Sequence, residues 1–188
     1  NGTASGTYVN HDSSIYNYGG TRGSDVDVYA VVNGFRLSLP FDNGTNWLWN
    51  NTTQTYIPSR YVISTFDSKN NWLTYIAKTW NGSAWIDSYR ITYYNDVTGL
   101  DTFVLSESWS TTTSSWVNSY ATIYKYNANG DMTSAISQNW KASTNSWESS
   151  TRDTYTYDLA NNLTLAVSEA WNNVTGSWRN TYKYTYTY

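Results

Sequence analysis

The chain has 188 residues, of which 13% are charged and 18% are aromatic, and its formal net charge at pH 7 is −3. With so few charges and no basic stripe, the composition argues against nucleic acid or an anionic membrane as a partner. Cysteine is absent, which excludes disulfides and thiolate metal sites, and no run of about 18 apolar residues predicts insertion into a membrane.

Residues 1–24 are rich in Gly, Ser, Asn and Tyr without a sustained period, and we interpret them as an N-terminal arm. Two alternatives stay open: a flexible arm, or a strand added to the sheet edge of a neighbouring subunit. In the second case Tyr8, Ile15 and Tyr16 would make the contact. The chain begins at Asn1 rather than Met, which we interpret as a mature chain whose targeting segment was removed, although a trimmed chain would look the same.

Residues 25–41 predict a β-hairpin. Apolar residues alternate from Val26 to Val32 and again from Phe35 to Phe41. Between the two arms, Asn33-Gly34 supplies the two positive-φ positions of a type I′ turn. We place this hairpin at the start of a single repeat domain over residues 25–188.

From residue 42 onward the sequence repeats, with a period that settles at 31 residues. Each unit contains an Asp or Asn, a large apolar residue, a Trp and a second aromatic residue. The Asp or Asn positions are Asp42, Asp67, Asn95, Asn127 and Asp158. The ring pairs are Trp49/Tyr56, Trp80/Trp85, Trp109/Trp116, Trp140/Trp147 and Trp171/Trp178. Self-similarity at such a period predicts a repeat architecture.

Within each unit, period-2 alternation of Thr, Tyr and Trp predicts two strands. Because Trp178, Tyr182, Tyr184, Tyr186 and Tyr188 all have even numbers, we expect them on one face, and the same argument groups Trp147 with Tyr155 and Trp116 with Tyr120. One face should then be buried or aromatic and the other wet. Asn81-Gly82, at the tip of the short Trp80–Trp85 loop, predicts a turn.

These elements predict an all-β fold: an antiparallel meander of about ten strands, curled or twisted into a solenoid-like or barrel-like sheet. Its last strand, RNTYKYTYTY, is long and aromatic, and only Arg179 and Lys183 protect its edge. We therefore predict an assembly edge at Tyr182, Tyr184, Tyr186 and Tyr188, with the chain itself as the partner.

The segments YKYNANGDMT, YTYDLANNLT and YYNDVTGL resemble the YD (Rhs-type) repeats. The Trp80–Trp85 segment and its counterparts resemble, more specifically, the Trp- and Tyr-rich β-hairpin repeats of secreted bacterial surface proteins. The resemblance covers roughly residues 41–188, with the unit near Asp42 cut short and the turn Gly replaced at Asn71 and Asn162. It implies an extracellular, cell-surface, non-catalytic scaffold.

Chemistry-bearing residues give no catalytic site. The one histidine, His11, lies in the N-terminal arm without an assignable nucleophile, and the acidic residues suggest no carboxylate pair. We predict no enzyme activity and no cofactor, with a weak structural calcium at oxygen-rich turns left open. Sequons at Asn43, Asn51, Asn81, Asn162 and Asn173 are candidate glycosylation sites, although composition alone would produce about as many.

The aromatic face supports two functions. We expect the rings to be structural, because they are the only large hydrophobic residues at most of their positions. Alternatively, Trp80, Trp85, Trp109, Trp116, Trp140, Trp147, Trp171 and Trp178 form platforms for a surface polysaccharide. The first reading predicts a structural or adhesive subunit of a filament or coat, and the second predicts a carbohydrate-binding module.

Overall fold

The structure is a computed structural model that describes residues 13–17 by their backbone and residues 42–188. These residues form eleven strands that are hydrogen-bonded in chain order. The strands are β1 (Ser13–Asn17), β2 (Asn43–Asn50), β3 (Thr55–Phe66), β4 (Trp72–Trp80), β5 (Trp85–Asn95), β6 (Asp101–Ser110), β7 (Ser115–Tyr126), β8 (Met132–Lys141), β9 (Ser146–Tyr157), β10 (Leu163–Asn172) and β11 (Ser177–Thr185).

The predicted all-β antiparallel meander is confirmed. Among the described strands the order is open, with β1 and β11 each next to a single strand, and the sheet does not close into a barrel. None of the described residues belongs to a helix long and apolar enough to cross a membrane. The hairpin predicted at 25–41, His11 and Tyr8 lie outside the described residues.

The chain divides into two compact units. One contains the described residues up to Thr65 together with Tyr75–Ser88, and the other contains Phe66–Thr74 together with Tyr89–Tyr188. The second unit holds most of the regular repeats.

Very few side chains are buried. Among the described residues the buried hydrophobic ones are Val62, Ala77 and Ala121. All ten residues of β10 are half-buried, so its two faces do not separate into a buried one and a wet one. This corrects the sequence-based expectation. Stability must come mainly from contacts between neighbouring strands within the sheet.

The second arms β3, β7, β9 and β11 each contain a β-bulge. In β11, for example, Tyr182 pairs with Ser168 and Asn180 pairs with Glu169, which leaves Thr181 as an extra residue. The Thr181 hydroxyl donates to the carbonyl of Ser168 at 2.8 Å. The extra residues in the other strands are Ser59, Ser119 and Ser150.

The bulge moves the tyrosines to the other side of the sheet. Trp178 pairs with Trp171, which lies on the same face of β10 as Glu169, whereas Tyr182 pairs with Ser168 on the opposite face. The expectation that Trp178 shares a face with Tyr182, Tyr184, Tyr186 and Tyr188 is therefore wrong. The bulges at Ser119 and Ser150 likewise separate Trp116 from Tyr120 and Trp147 from Tyr155. One inserted residue inverts the side-chain alternation that follows it.

A second bulge lies beside the turns at Asp96, Asn127 and Asp158. The extra residues here are Thr102, Thr133 and Thr164. Each hydroxyl donates to a carbonyl on the preceding strand, those of Tyr94, Lys125 and Thr156, at 2.9 to 3.2 Å. Both bulges thus place a Ser or Thr at the extra position, and the hydroxyls of Ser59, Thr181, Thr102, Thr133 and Thr164 donate to backbone carbonyls.

Candidate functional site: paired rings, turns and a sheet edge

The Trp residues meet as pairs across each hairpin. The two rings of Trp109/Trp116, Trp140/Trp147 and Trp171/Trp178 are directly opposite on adjacent strands. Their centroids are 5.0 to 5.1 Å apart, with interplanar angles of 66 to 70°. Such edge-to-face contacts contribute roughly 0.5–1.5 kcal/mol each beyond the area they bury.

The same arrangement occurs in the first unit. Trp80/Trp85 are 5.3 Å apart and Trp49/Tyr56 are 5.0 Å apart, both edge-to-face. The short loop between Trp80 and Trp85 turns at Asn81, whose Oδ1 accepts from the Ser83 and Ala84 amides, and Gly82 has a φ of +101°. The turn predicted at Asn81-Gly82 is confirmed. Every Trp in these pairs is half-buried, so the rings form no sealed core.

Arginine side chains cover two of these rings. The Arg90 guanidinium lies 4.9 Å from the Trp116 ring centre, and that of Arg152 lies 4.7 Å from the Trp178 ring centre. Arg90 pairs with Glu107 at 2.6 Å, and Arg152 pairs with Glu169. The Arg152 hydrogen bond lowers the pKa of the Glu169 carboxyl below its ordinary value.

The repeat between these two carries neither charge. Its residues at the positions of Arg90 and Glu107 are Ala121 and Gln138, which face each other on β7 and β8. Both charges are therefore replaced together. This pattern fits the rule that a carboxylate taken out of water needs a partner.

The opposite ends of the strands turn around an Asp or Asn side chain. Oδ1 of Asp67, Asn127 and Asp158 accepts backbone N–H groups two and four residues later, at 2.8 to 3.0 Å. In the third repeat this role belongs to Asp96, whose Oδ1 accepts from the Thr98, Gly99 and Leu100 amides. The assignment of Asn95 is therefore wrong by one residue, and Asn95 instead donates through Nδ2 to the Trp72 carbonyl at 2.8 Å.

The left-handed position of each turn also differs from the expectation. It falls at Asn70, Gly99, Gly130 and Asn161, with φ between +67° and +96°. The residues Asn71 and Asn162, proposed as the replacements for the turn Gly, donate instead through Nδ2 to the carboxylates of Asp67 and Asp158. Asn at a positive φ is tolerated because its short side chain bonds locally.

We predict that the Asp turns weaken in acid. Backbone and side-chain bonds from Asn162 hold the pKa of Asp158 below its ordinary value, so the stability they add is present above pH about 4 and is lost as the pH falls through the lowered pKa. Asp158→Asn, which copies the acceptor at Asn127, should reduce the drop in melting temperature between neutral and strongly acidic buffer. An equal drop in both proteins would contradict the assignment.

The predicted assembly residues lie at the ends of the strand order. Tyr182 and Tyr184 belong to the terminal strand β11, and together with Tyr186 and Tyr188 they are exposed, up to 78% at Tyr188. Ile15 and Tyr16 lie in β1, which pairs with β2 of the same chain over residues 13–17. Strand donation by the arm to another subunit stays a prediction.

The candidate glycosylation and metal sites are placed as follows. Asn51, Asn81 and Asn173 lie exposed in loops, whereas Asn43 lies in β2 and Asn162 uses its Nδ2 in a hydrogen bond to Asp158. Glycosylation at Asn162 would replace one of the two hydrogens of that Nδ2. Within the described residues no three acidic or histidine side chains come together as a metal site. Weak calcium binding at the turns stays an open alternative.

Comparison with known proteins gives the fold alone. No family model matches the chain, and no curated protein matches it. A solved structure of a protein of unknown function from Bacteroides fragilis is similar, with a TM-score of 0.56 and 15% identity over 68% of this chain and 92% of that one. A DUF3836 family protein from Bacteroides vulgatus has a TM-score of 0.42 and 22% identity over 54% of this chain and 100% of that one. The resemblance to YD repeats stays a prediction.

Proposed function

We propose that this chain is an extracellular structural or adhesive repeat protein that assembles into a filament or surface coat through its sheet edges. The observation that carries the proposal is the outer edge of β11, which pairs only with β10 among the described strands. The proposal assigns no reaction to the chain. The neutral, hydroxyl-rich composition and the resemblance to bacterial surface repeats support the proposed extracellular location.

The outer edge of β11 has the chemistry needed to pair with another strand. A terminal strand presents a row of N–H and C=O groups that another strand can satisfy. Natural sheets block such edges with proline, charges or short strands, but β11 has nine residues, no proline and the two cations Arg179 and Lys183. Its exposed tyrosines would bury ring surface on contact with a second molecule.

Strand β1, at the other end of the strand order, supports a second kind of contact between molecules. β1 is five residues long and is separated in sequence from β2 by residues 18–42. A short strand on a long connection is the kind of element that neighbouring molecules exchange. Contacts between different edges repeat without closing, and this geometry produces filaments.

Self-association of the purified protein tests the proposal. We expect large species in sedimentation velocity and ordered assemblies in electron microscopy. Tyr182→Lys, which adds a charge to the edge strand, should weaken association by about tenfold or more. Tyr120→Lys is the matched control, because Tyr120 occupies the equivalent repeat position on interior strand β7 and is also exposed. A strictly monomeric protein at high concentration would overturn the proposal.

A second function is favoured by the exposure of the Trp pairs. Because all eight Trp residues of the four Trp/Trp pairs are half-buried, they leave ring surface on which a surface polysaccharide would stack. Trp140→Ala distinguishes the two roles: loss of binding on a glycan array by a folded variant supports the platform, whereas unfolding marks the ring as structural. Trp178→Ala is the comparison variant for the glycan-binding measurement, because the Arg152 guanidinium already covers the Trp178 ring.

A further inference from the structure

The second unit contains four turns, numbered in chain order, that begin at Asp67, Asp96, Asn127 and Asp158. The first and second turns, and the third and fourth turns, are tied together by the third residue of a turn. Lys69 of the first turn donates through Nζ to the Val97 carbonyl of the second turn at 2.8 Å. Asn129 of the third turn donates through Nδ2 to Oδ1 of Asn161 in the fourth turn at 2.9 Å. In both places a side chain spans the gap between adjacent hairpins.

The gap between the second and third turns is different. The equivalent residue there is Thr98, and its hydroxyl donates to Oδ1 of Asp96 in its own turn at 2.6 Å. The acceptor position filled by Asn161 in the fourth turn is Gly130 in the third, which has no side chain. Both halves of the bridge are thus replaced, and a cleft of about 440 Å³ lies between these turns.

The lining of this cleft combines rings with a few polar groups. Two tyrosines, Tyr124 and Tyr126, lie beside the Asp96 carboxylate, the Asn127 amide and Lys125. The Tyr126 hydroxyl donates to the Asp101 carbonyl at 2.9 Å, which holds its ring in place. Its charged residues are one carboxylate and one ammonium group, so the lining has no net charge.

These properties select a class of ligand. A single carboxylate does not supply the oxygen ligands that a divalent cation needs. The volume lies within the range of small-molecule sites, about 300–1,000 Å³. Tyrosine faces pack against the C–H face of a sugar ring, and a carboxylate and an amide bind its hydroxyl groups.

We propose that the cleft between the second and third turns binds a neutral pyranoside of one or two rings. This site is separate from the Trp pairs and from the edge of β11, so it depends on neither function proposed above. Thr98 and Gly130 keep it open, and Tyr124 and Tyr126 supply the ring faces. Oδ1 of Asp96 and Oδ1 of Asn127 are engaged within their own turns, so the sugar hydroxyls would meet Oδ2 of Asp96 and the second N–H of Asn127 Nδ2, whose first N–H bonds Asp131.

The test is an NMR titration of the ¹⁵N-labelled protein with the methyl glycosides of glucose, galactose, mannose and N-acetylglucosamine and with their disaccharides. At least one should give saturable shifts confined to residues 96–102 and 124–130. Thr98→Lys should weaken binding by about tenfold or more, because a lysine there reaches the Ala128 carbonyl as Lys69 reaches Val97. Lys69 shows that a lysine is accepted at this turn position.

Ala160→Lys is the matched control, since it adds the same charge at the equivalent position of the fourth turn, outside the cleft. Its binding should equal that of the unmodified protein. Tyr124→Leu, which removes a ring without adding charge, should weaken binding as much as Thr98→Lys does. Absence of saturable shifts with every sugar, or equal affinity in Thr98→Lys and the unmodified protein, would overturn the proposal.

Discussion

Arg90→Ala is expected to lower the free energy of unfolding by about 2–3 kcal/mol. The Glu107 side chain is only 9% exposed and lies 2.6 Å from the Arg90 guanidinium. Removing the arginine leaves that carboxylate away from water without its cation. The cost falls somewhat below the ~3–5 kcal/mol of a fully buried pair, because 31% of the Arg90 side chain is exposed. Urea denaturation measures the change.

The chain itself contains the compensating change. Ala121 faces Gln138 where Arg90 faces Glu107, so Arg90→Ala with Glu107→Gln copies a combination that already occurs in this sheet. The double variant should recover at least half of the loss. If it stays as unstable as Arg90→Ala alone, the stabilising contact is that between Arg90 and the Trp116 ring.

Lys141→Ala is the comparison for an exposed ion pair. It breaks the pair between Lys141 and Glu148, whose charged atoms are 3.4 Å apart, and should lower the free energy of unfolding by less than about 0.5 kcal/mol.

Gly99→Ala is expected to cost about 2–3 kcal/mol. Gly99 has a φ of +96°, where an L-residue is strained by roughly 1–2 kcal/mol. A Cβ would also come within 2.7 Å of Nδ2 of Asn71, which donates to the Asp67 carboxylate. Displacing that amide would cost about 1 kcal/mol more. Thermal unfolding gives the total, and the Asn71 side-chain amide signal in NMR reports the displacement.

Gly82→Ala separates the two contributions. Gly82 has a φ of +101°, and no atom lies within 4 Å of its Cβ position. It should therefore show only the backbone strain and cost about 1 kcal/mol less than Gly99→Ala. Equal costs in the two variants would mean that Asn71 moves aside freely and that the contact between turns contributes nothing.

Periodicity predicted the hairpins and the ring pairs, since both depend on local spacing. The faces were predicted wrongly, because alternation was counted across positions where one strand contains an extra residue. The bulge at Ser119 reverses the alternation between Trp116 and Tyr120. A signal was present, since Ser119, Ser150 and Thr181 recur every 31 residues, but a hydroxyl residue in a Thr-rich strand is not distinctive.

The turn at Asp96 could not be separated from its neighbour by sequence alone. Asn95 and Asp96 both have side chains that can accept turn amides, and only the strand pairing decides between them. Sequence reasoning missed the cleft for another reason. The cleft exists because the Thr98 side chain does not reach across to the third turn. The absence of a contact between turns that lie 31 residues apart leaves no local pattern in the sequence.

The two bulges that recur between β6 and β11 make the 31-residue unit an interchangeable module there. A deletion of residues 121–151 would join matching positions, with Arg152 taking the place of Ala121, and every later side chain would keep its face. Loss of one residue between the bulges would instead invert the segment that follows. Changes in copy number should therefore be tolerated more readily than single-residue indels, so the length of this array is free to vary by whole modules.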